Sequence, residues 1–184
     1  MPKFNKLLVL DIDETLVFAA EKKLFYEPDF NVLDYYIYKR PGLDIFLNTC
    51  LEWFDVGVWT SSGEAYAQGV LSMIFNDVNK LKIVLTSNHC VRKFNHDIGC
   101  HYTIKDLKKI VRKTGHPIEQ VLMIDDSKEK VERNYGNAII VNEFTGQPDD
   151  DELPELLKYL ELIGPVENVR TVDKLRWRSK LKVI

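Results

Sequence analysis

A three-layer α/β domain, a doubly wound and Rossmann-like parallel sheet with small insertions and no large cap, is the fold this sequence predicts. Three observations predict it. Short, mostly apolar runs recur along the chain, at residues 6–10, 54–59, 121–124 and 138–141. Such runs suit strands of a parallel sheet covered on both faces. Segments with helical spacing lie between them, and an alternation of strand and helix gives a parallel sheet with helices on its faces. The third observation is where the runs stop. The first ends at Asp11-Ile12-Asp13-Glu14-Thr15, the second at Thr60-Ser61-Ser62 and the third at Asp125-Asp126-Ser127. Ligands of open α/β sheets gather at the carboxyl ends of the strands.

Each element follows in order. Residues 18–40 carry Phe30, Val32, Tyr35, Ile37 and Tyr38, which suggest short strands leading to Lys39-Arg40-Pro41-Gly42. Pro41 opens a helix, with Leu43, Phe46, Leu47, Cys50 and Leu51 at helical spacing. Residues 64–75 form a helix with Ala67, Val70, Leu71 and Ile74 inward, and residues 82–104 form a hairpin or short cap-like excursion. Residues 105–113 form an amphipathic helix (Leu107, Ile110, Val111) stopped by Gly115 and Pro117. A further helix starts at about Lys128, and residues 151–163 form the last one, with acids at its start where the macrodipole favours them. At 184 residues the whole chain, 1–184, reads as one domain with its core at about 6–163. The clean alternation of Leu175, Trp177, Leu181 and Val183 with Arg176, Arg178, Lys180 and Lys182 predicts a basic strand within residues 170–184. Such a strand is an edge guarded by positive charge, or a strip that recruits an acidic or phosphorylated partner. The run Asp149-Asp150-Asp151-Glu152 reads as a solvated helix start.

Bulk properties exclude several classes. A net charge of −3 gives no global attraction to nucleic acid or to anionic membrane, leaving only a weak nucleic-acid role for the basic strip. No stretch approaches the roughly 20 apolar residues of a membrane span. The N-terminus lacks the apolar region and cleavage site of a secretory signal. Cys50, Cys90 and Cys100 are an odd, sparse set, unlike a disulfide framework, so an intracellular, cytoplasmic or nuclear protein is expected. His89, Cys90, His96, Cys100 and His101 crowd one region but lack the usual zinc spacing.

The three strand ends can perform one kind of chemistry together. Asp11 and Asp13, with the Asp125-Asp126 pair, offer the oxygen ligands that a hard cation such as Mg²⁺ takes. Packing so many carboxylates together requires a cation or a protonated acid. A phosphate ester repels an anionic nucleophile, so positive groups must offset that charge. Mg²⁺ is one such group and Lys105 another, while Thr60 and nearby backbone N–H groups, those of Ile12 and Ser61 among them, hold the remaining oxygens. Asp11 then attacks phosphorus to form an aspartyl-phosphate. Asp13 protonates the leaving alcohol and afterwards activates water, help worth roughly 10²–10⁴-fold in rate.

These residues resemble the haloacid dehalogenase superfamily. Asp11-Ile12-Asp13-Glu14-Thr15-Leu16-Val17 is similar to the DLDETLV of its carboxy-terminal-domain (CTD) phosphatases and their NLI-interacting-factor-like relatives. Lys39-Arg40-Pro41-Gly42, Val58-Trp59-Thr60-Ser61-Ser62, Lys105-Asp106-Leu107 and Ile124-Asp125-Asp126-Ser127 follow in the order of that branch. The resemblance implies that Asp11 is nucleophile and metal ligand, and that Asp13 is acid/base and lends its backbone carbonyl to the metal. It also implies that Asp126 ligates Mg²⁺ and that Asp125, a further candidate ligand, pairs with Lys105. It implies a phosphorylated protein or peptide as substrate, since members act on phosphoserine and phosphothreonine. The wider superfamily offers a small phosphoester as the alternative, and a relative among mitochondrial import receptors offers a binding module without turnover. Where small CTD phosphatases carry His-Arg-Gly before the lysine motif, this chain has Cys90-Val91-Arg92-Lys93-Phe94-Asn95-His96, which makes Arg92 the candidate substrate contact there.

Overall fold

A computed structural model describes residues 1–96 and 99–181. In chain order its elements are β1 (Leu7–Leu10), β2 (Val17–Ala20), β3 (Phe30–Val32), β4 (Tyr35–Lys39), α1 (Leu43–Trp53), β5 (Asp55–Trp59) and α2 (Glu64–Ile74). After these come β6 (Ile83–Leu85), β7 (Val91–Asn95), β8 (Cys100–Ile104), α3 (Lys108–Thr114), β9 (Val121–Asp125), β10 (Ala138–Ile140), α4 (Glu152–Ile163) and α5 (Trp177–Lys180).

The apolar runs become the core sheet, ordered β10-β9-β1-β5-β6 with every pair parallel. Successive side chains of a strand point to opposite faces, and both faces here are covered. Leu8, Leu10, Val56, Val58, Leu122 and Ile124 pack with α1, α2 and α4, while Leu7, Val9, Trp59, Val121 and Met123 pack with Ile110 of α3. That is the three-layer arrangement the sequence predicts. The order reverses between β1 and β9, because the chain adds β5 and β6 on one side of β1 and then crosses to the other. Crevices form at such switch points, just beyond the carboxyl ends of the strands. Leu10 pairs with Val58 on one side and Ile124 on the other, so the residues that follow these three leave the sheet on one rim.

The insertions are small. An antiparallel sheet, β2-β4-β3, fills residues 17–39, and a hairpin, β7-β8, stands before Lys105. The hairpin was expected within residues 82–104; the same stretch also supplies β6, the fifth core strand, registered at Gly57↔Ile83. Gly57 is required there, since a Cβ would stand 2.7 Å from Ile83 Cγ2.

Four expectations are corrected, the last in part. Lys105 does not begin a helix: Asp106 Oδ1 accepts the Lys108 N–H at 3.1 Å, so α3 starts later and Lys105 lies just beyond β8. No α-helix starts at Lys128. The Lys130 carbonyl that such a helix would use is taken by the Lys105 N–H at 2.7 Å, and Asn134 N–H bonds Val131 O instead, giving one 3-10 turn. The C-terminal alternation does not form a strand. Trp177 is 4% exposed and donates from its indole to Ile140 O on β10, 2.9 Å away, whereas Leu175, predicted on the same face, is 48% exposed. One indole docked at the sheet edge breaks the period of two. Val183 and Lys182 lie outside the described residues. The acidic run does open α4 but is solvated only in part: Asp149 and Asp151 are exposed, whereas Glu152 is 2% exposed and takes Arg178, and Asp150 receives Arg40. Among the described residues, no helix is long and apolar enough to cross a membrane.

Candidate active site

The rim beyond β1, β5 and β9 gathers the predicted residues. Asp11, 1% exposed, is held by its N–H on Ile124 O at 3.0 Å. Its Oδ1 accepts from the Ile12 N–H at 2.9 Å and lies 2.7 Å from Lys105 Nζ. The Ile12 N–H, a candidate phosphate donor, is thus engaged by the neighbouring carboxylate. Lys105, fully buried, also reaches Asp125 Oδ2 at 2.7 Å, and the other Asp125 oxygen accepts the Ser127 N–H at 3.0 Å. Burial works against the Lys105 charge, yet the two carboxylates outweigh it and raise its pKa. Asp125 is pushed up by burial and by the Asp11 charge, against the pull of Lys105.

Asp13 occupies the other side of the rim. Its Oδ2 accepts from Ser62 Oγ at 2.6 Å and Thr60 Oγ1 at 3.3 Å, and its Oδ1 from the Tyr66 hydroxyl at 2.5 Å. Thr60 is fully buried, and its hydroxyl also accepts the Ser62 N–H at 3.0 Å. Ser61 lines the open side. Arg92 is exposed on β7 and does not line the cleft.

Asp126 accepts from Thr15 Oγ1 at 3.4 Å and lies 3.9 Å from Lys130 Nζ. Burial and the Asp11 charge push Asp126 up, against the pull of Lys130. Burial first, then Asp13 and Asp126, lifts Glu14 to about 7. Five carboxyl groups (Asp11, Asp13, Glu14, Asp125, Asp126) therefore meet two ammonium groups, Lys105 and Lys130.

That imbalance suits a hard cation. Oxygen atoms of Asp11, Asp125 and Asp126 lie within 4.8 Å of one another. Among the described residues Asp11 Oδ2 is buried without a hydrogen-bond partner, an arrangement that costs free energy unless something positive compensates it. Both Asp125 oxygens are occupied, so Asp11 Oδ2 and Asp126 are the freer ligands for a divalent ion. The cleft above, about 400 Å³, is lined by Asp13, Glu14, Tyr35, Ser61, Tyr66 and Lys130 among others. A larger groove of about 1140 Å³ runs between β10 and the C-terminal segment, but the acid and amine cluster is not in it.

Three supporting residues escape sequence reasoning. Tyr66 falls within the helix expected over residues 64–75, where nothing in the sequence marks its hydroxyl for the site. Asn134, in a polar turn, bonds the Lys105 carbonyl and, through Oδ1, the Leu107 N–H at 3.1 Å, which fixes the lysine loop. Lys130 stands in a Lys- and Glu-rich stretch that looks like solvated surface.

Comparison with known proteins agrees with this geometry. Residues 6–170 match the NLI interacting factor-like phosphatase family. "CTD small phosphatase-like protein 2" of Dictyostelium discoideum is 33% identical over 176 residues, covering 92% of this chain and 29% of that protein. Fcp1, an essential RNA polymerase II CTD phosphatase, superposes with a TM-score of 0.57 at 20% identity, over 91% of this chain and 52% of the other. The N-terminal part of BF1531 from Bacteroides fragilis, a phosphatase domain complexed with Mg, gives 0.53 at 12% identity, over 91% and 42%. The chain spans less than a third of the length of the Dictyostelium relative, and about half or less of each structural neighbour. With nine-tenths of its length matched, and its motifs converging on one rim, the chain belongs to the NLI interacting factor-like phosphatases, in the CTD-phosphatase branch of the haloacid dehalogenase superfamily.

Proposed function

We propose that this chain hydrolyses phosphate monoesters of serine or threonine in proteins, by way of an aspartyl-phosphate on Asp11 and with Mg²⁺ as cofactor. The observation that carries the reading is the Asp11 carboxylate: buried, fixed through Oδ1 by Lys105 and the Ile12 N–H, and unpartnered at Oδ2. A fixed, desolvated carboxylate among cations is what in-line attack on a phosphoryl group requires.

Asp11 forms a bond to phosphorus as the ester P–O bond breaks, and Asp13, protonated at that stage, gives its proton to the leaving oxygen. Water then surrenders a proton to Asp13 and attacks phosphorus, the Asp11–phosphorus bond breaks and phosphate leaves. Lys105, tied to both Asp11 and Asp125, holds the nucleophile in place and offsets charge on the transferred group. Ser62, Thr60 and Tyr66 hold the Asp13 carboxyl at the edge of the cleft. A divalent ion held by Asp11 and Asp126, with the Asp13 carbonyl as a third ligand, supplies charge neutralisation when bound. The Mg in the Bacteroides phosphatase domain favours that identity for the ion.

A macromolecular substrate is favoured because the insertions are a small antiparallel sheet and one hairpin, which leave the cleft open. Three free cysteines favour a reducing, intracellular location.

Two measurements test this. p-Nitrophenyl phosphate should be hydrolysed with Mg²⁺ and not with EDTA; no turnover in either would leave only a binding role. Tyr66→Phe removes one of the three donors to Asp13, so kcat should fall about tenfold, the scale of a hydrogen bond to a charged group. Unchanged kcat in that variant would show that the Tyr66 hydroxyl does not govern the proton transfers of Asp13.

A further inference from the structure

Lys130 has no part in the chemistry proposed above. Its Nζ lies 3.7 Å from Asp11 Oδ2 and 3.9 Å from Asp126 Oδ1. Both distances exceed a direct hydrogen bond, so the ammonium acts on the two acids through its charge alone. The oxygens it faces belong to the two side chains left freest to ligate a metal, and among the described residues Asp11 Oδ2 has no hydrogen-bond partner. Its main chain is fixed: its carbonyl accepts the Lys105 N–H at 2.7 Å and its N–H approaches Ser127 Oγ at 3.4 Å. The turn that delivers Asp126 therefore delivers Lys130 as well. Its side chain is 26% exposed and lines the cleft, unlike Lys105, which is sealed in with two contacts of 2.7 Å. One lysine is locked, and the other has room to withdraw.

A buried carboxylate and a partly buried one, Asp11 and Asp126, would repel each other where water is largely excluded. A divalent ion and an ammonium group at like distance repel each other with twice the charge product, so an ion held by Asp11 Oδ2 and Asp126 drives off an ammonium facing the same oxygens. We propose that Lys130 is the built-in counter-ion of the Asp11–Asp126 pair in the metal-free protein, and that the divalent ion displaces it into the cleft. Lys130 thereby stabilises the empty site and weakens metal binding. This rests on the reading of Asp11 and Asp126 as metal ligands.

The test uses the full chain at neutral pH. Mg²⁺ binding to the wild type, Lys130→Met and Lys130→Arg is followed by titration calorimetry, and unfolding of each is followed by heating in EDTA. Lys130→Met should bind Mg²⁺ roughly tenfold or more tightly, as loss of a unit charge about 4 Å from the ligands requires, and should melt lower in EDTA. Lys130→Arg should stay near the wild type in both. Acetic anhydride labelling of the wild type, read residue by residue by mass spectrometry, should modify Lys130 faster with Mg²⁺ than with EDTA, with Lys105 as the unreactive internal reference. That arm needs no variant, and Lys130→Gln replaces Lys130→Met if the latter does not fold. Equal Mg²⁺ affinity in wild type and variant, or Lys130 labelling that Mg²⁺ does not accelerate, would overturn the role of Lys130 and leave the metal site standing. Failure of both proteins to bind Mg²⁺ would remove the metal site and this inference together.

Discussion

Asp11→Asn should lose phosphate-ester turnover by roughly 10³-fold or more, the scale on which removal of a nucleophile acts, while remaining folded. The amide oxygen can still accept from the Ile12 N–H and from Lys105, so the hydrogen bonds of Oδ1 survive. What is lost is the negative charge that attacks phosphorus. Stability should hold or rise, because the change removes one of five carboxyl groups crowded around two amines, and Lys105 keeps Asp125 at 2.7 Å. Initial rates on p-nitrophenyl phosphate with Mg²⁺, paired with thermal unfolding in EDTA, separate the two effects. Wild-type rates in the variant would remove the proposed nucleophile; a collapsed fold would show that the charge is structural.

That experiment targets a residue that could be read from the chain. β1, β5 and β9 are legible because a strand covered on both faces must be apolar at every position, leaving no ambiguity of period. Asp11, Thr60 and Asp125-Asp126 are legible because polar groups placed abruptly after such runs must emerge at strand ends. β6 is not, being three residues at a sheet edge whose pairing is set by Gly57 on the neighbouring strand rather than by its own pattern. Tyr66 is not, because an aromatic at helical spacing looks like core, and only the fold brings its hydroxyl to Asp13 across 53 residues of chain. The 128–134 turn shows a third kind of failure. Its propensity is helical, but a long-range bond from Lys105 takes the carbonyl that a helix would need, and tertiary structure prevails over propensity. The C-terminal segment fails likewise: its period of two is real in the sequence, yet burying Trp177 against Tyr159 and Ile140 decides its path.

Arg40→Lys should cost roughly 3 kcal/mol or more, the scale of breaking a buried ion pair, and should lower turnover although Arg40 touches no reacting atom. Arg40 is 1% exposed. Its Nε and Nη2 grip the two Asp150 oxygens at 2.8 Å each, Nη1 donates to Thr15 O at 3.1 Å, and Nη2 also reaches Asn142 O at 2.8 Å. The guanidinium lies 5.3 Å from the centre of the Phe144 ring. One planar fork thus joins the loop after Asp13, the segment after β10 and the approach to α4. An ammonium carries three donors on a single point and cannot span those partners, so Asp150 would keep the Glu152 N–H on Oδ1 at 3.0 Å but lose its bidentate partner, and at least one carbonyl would lose its donor. The loss should reach the site through Thr15, whose hydroxyl meets Asp126. kcat should fall in Arg40→Lys, and Asp150→Ala should reproduce both effects. The double variant should lose less stability than the two single losses combined, because each single change already breaks the same bidentate pair. Additive losses would mean that Arg40 acts through the carbonyls alone, and unchanged kcat would mean that the position of Thr15 does not govern the metal-facing side of the site.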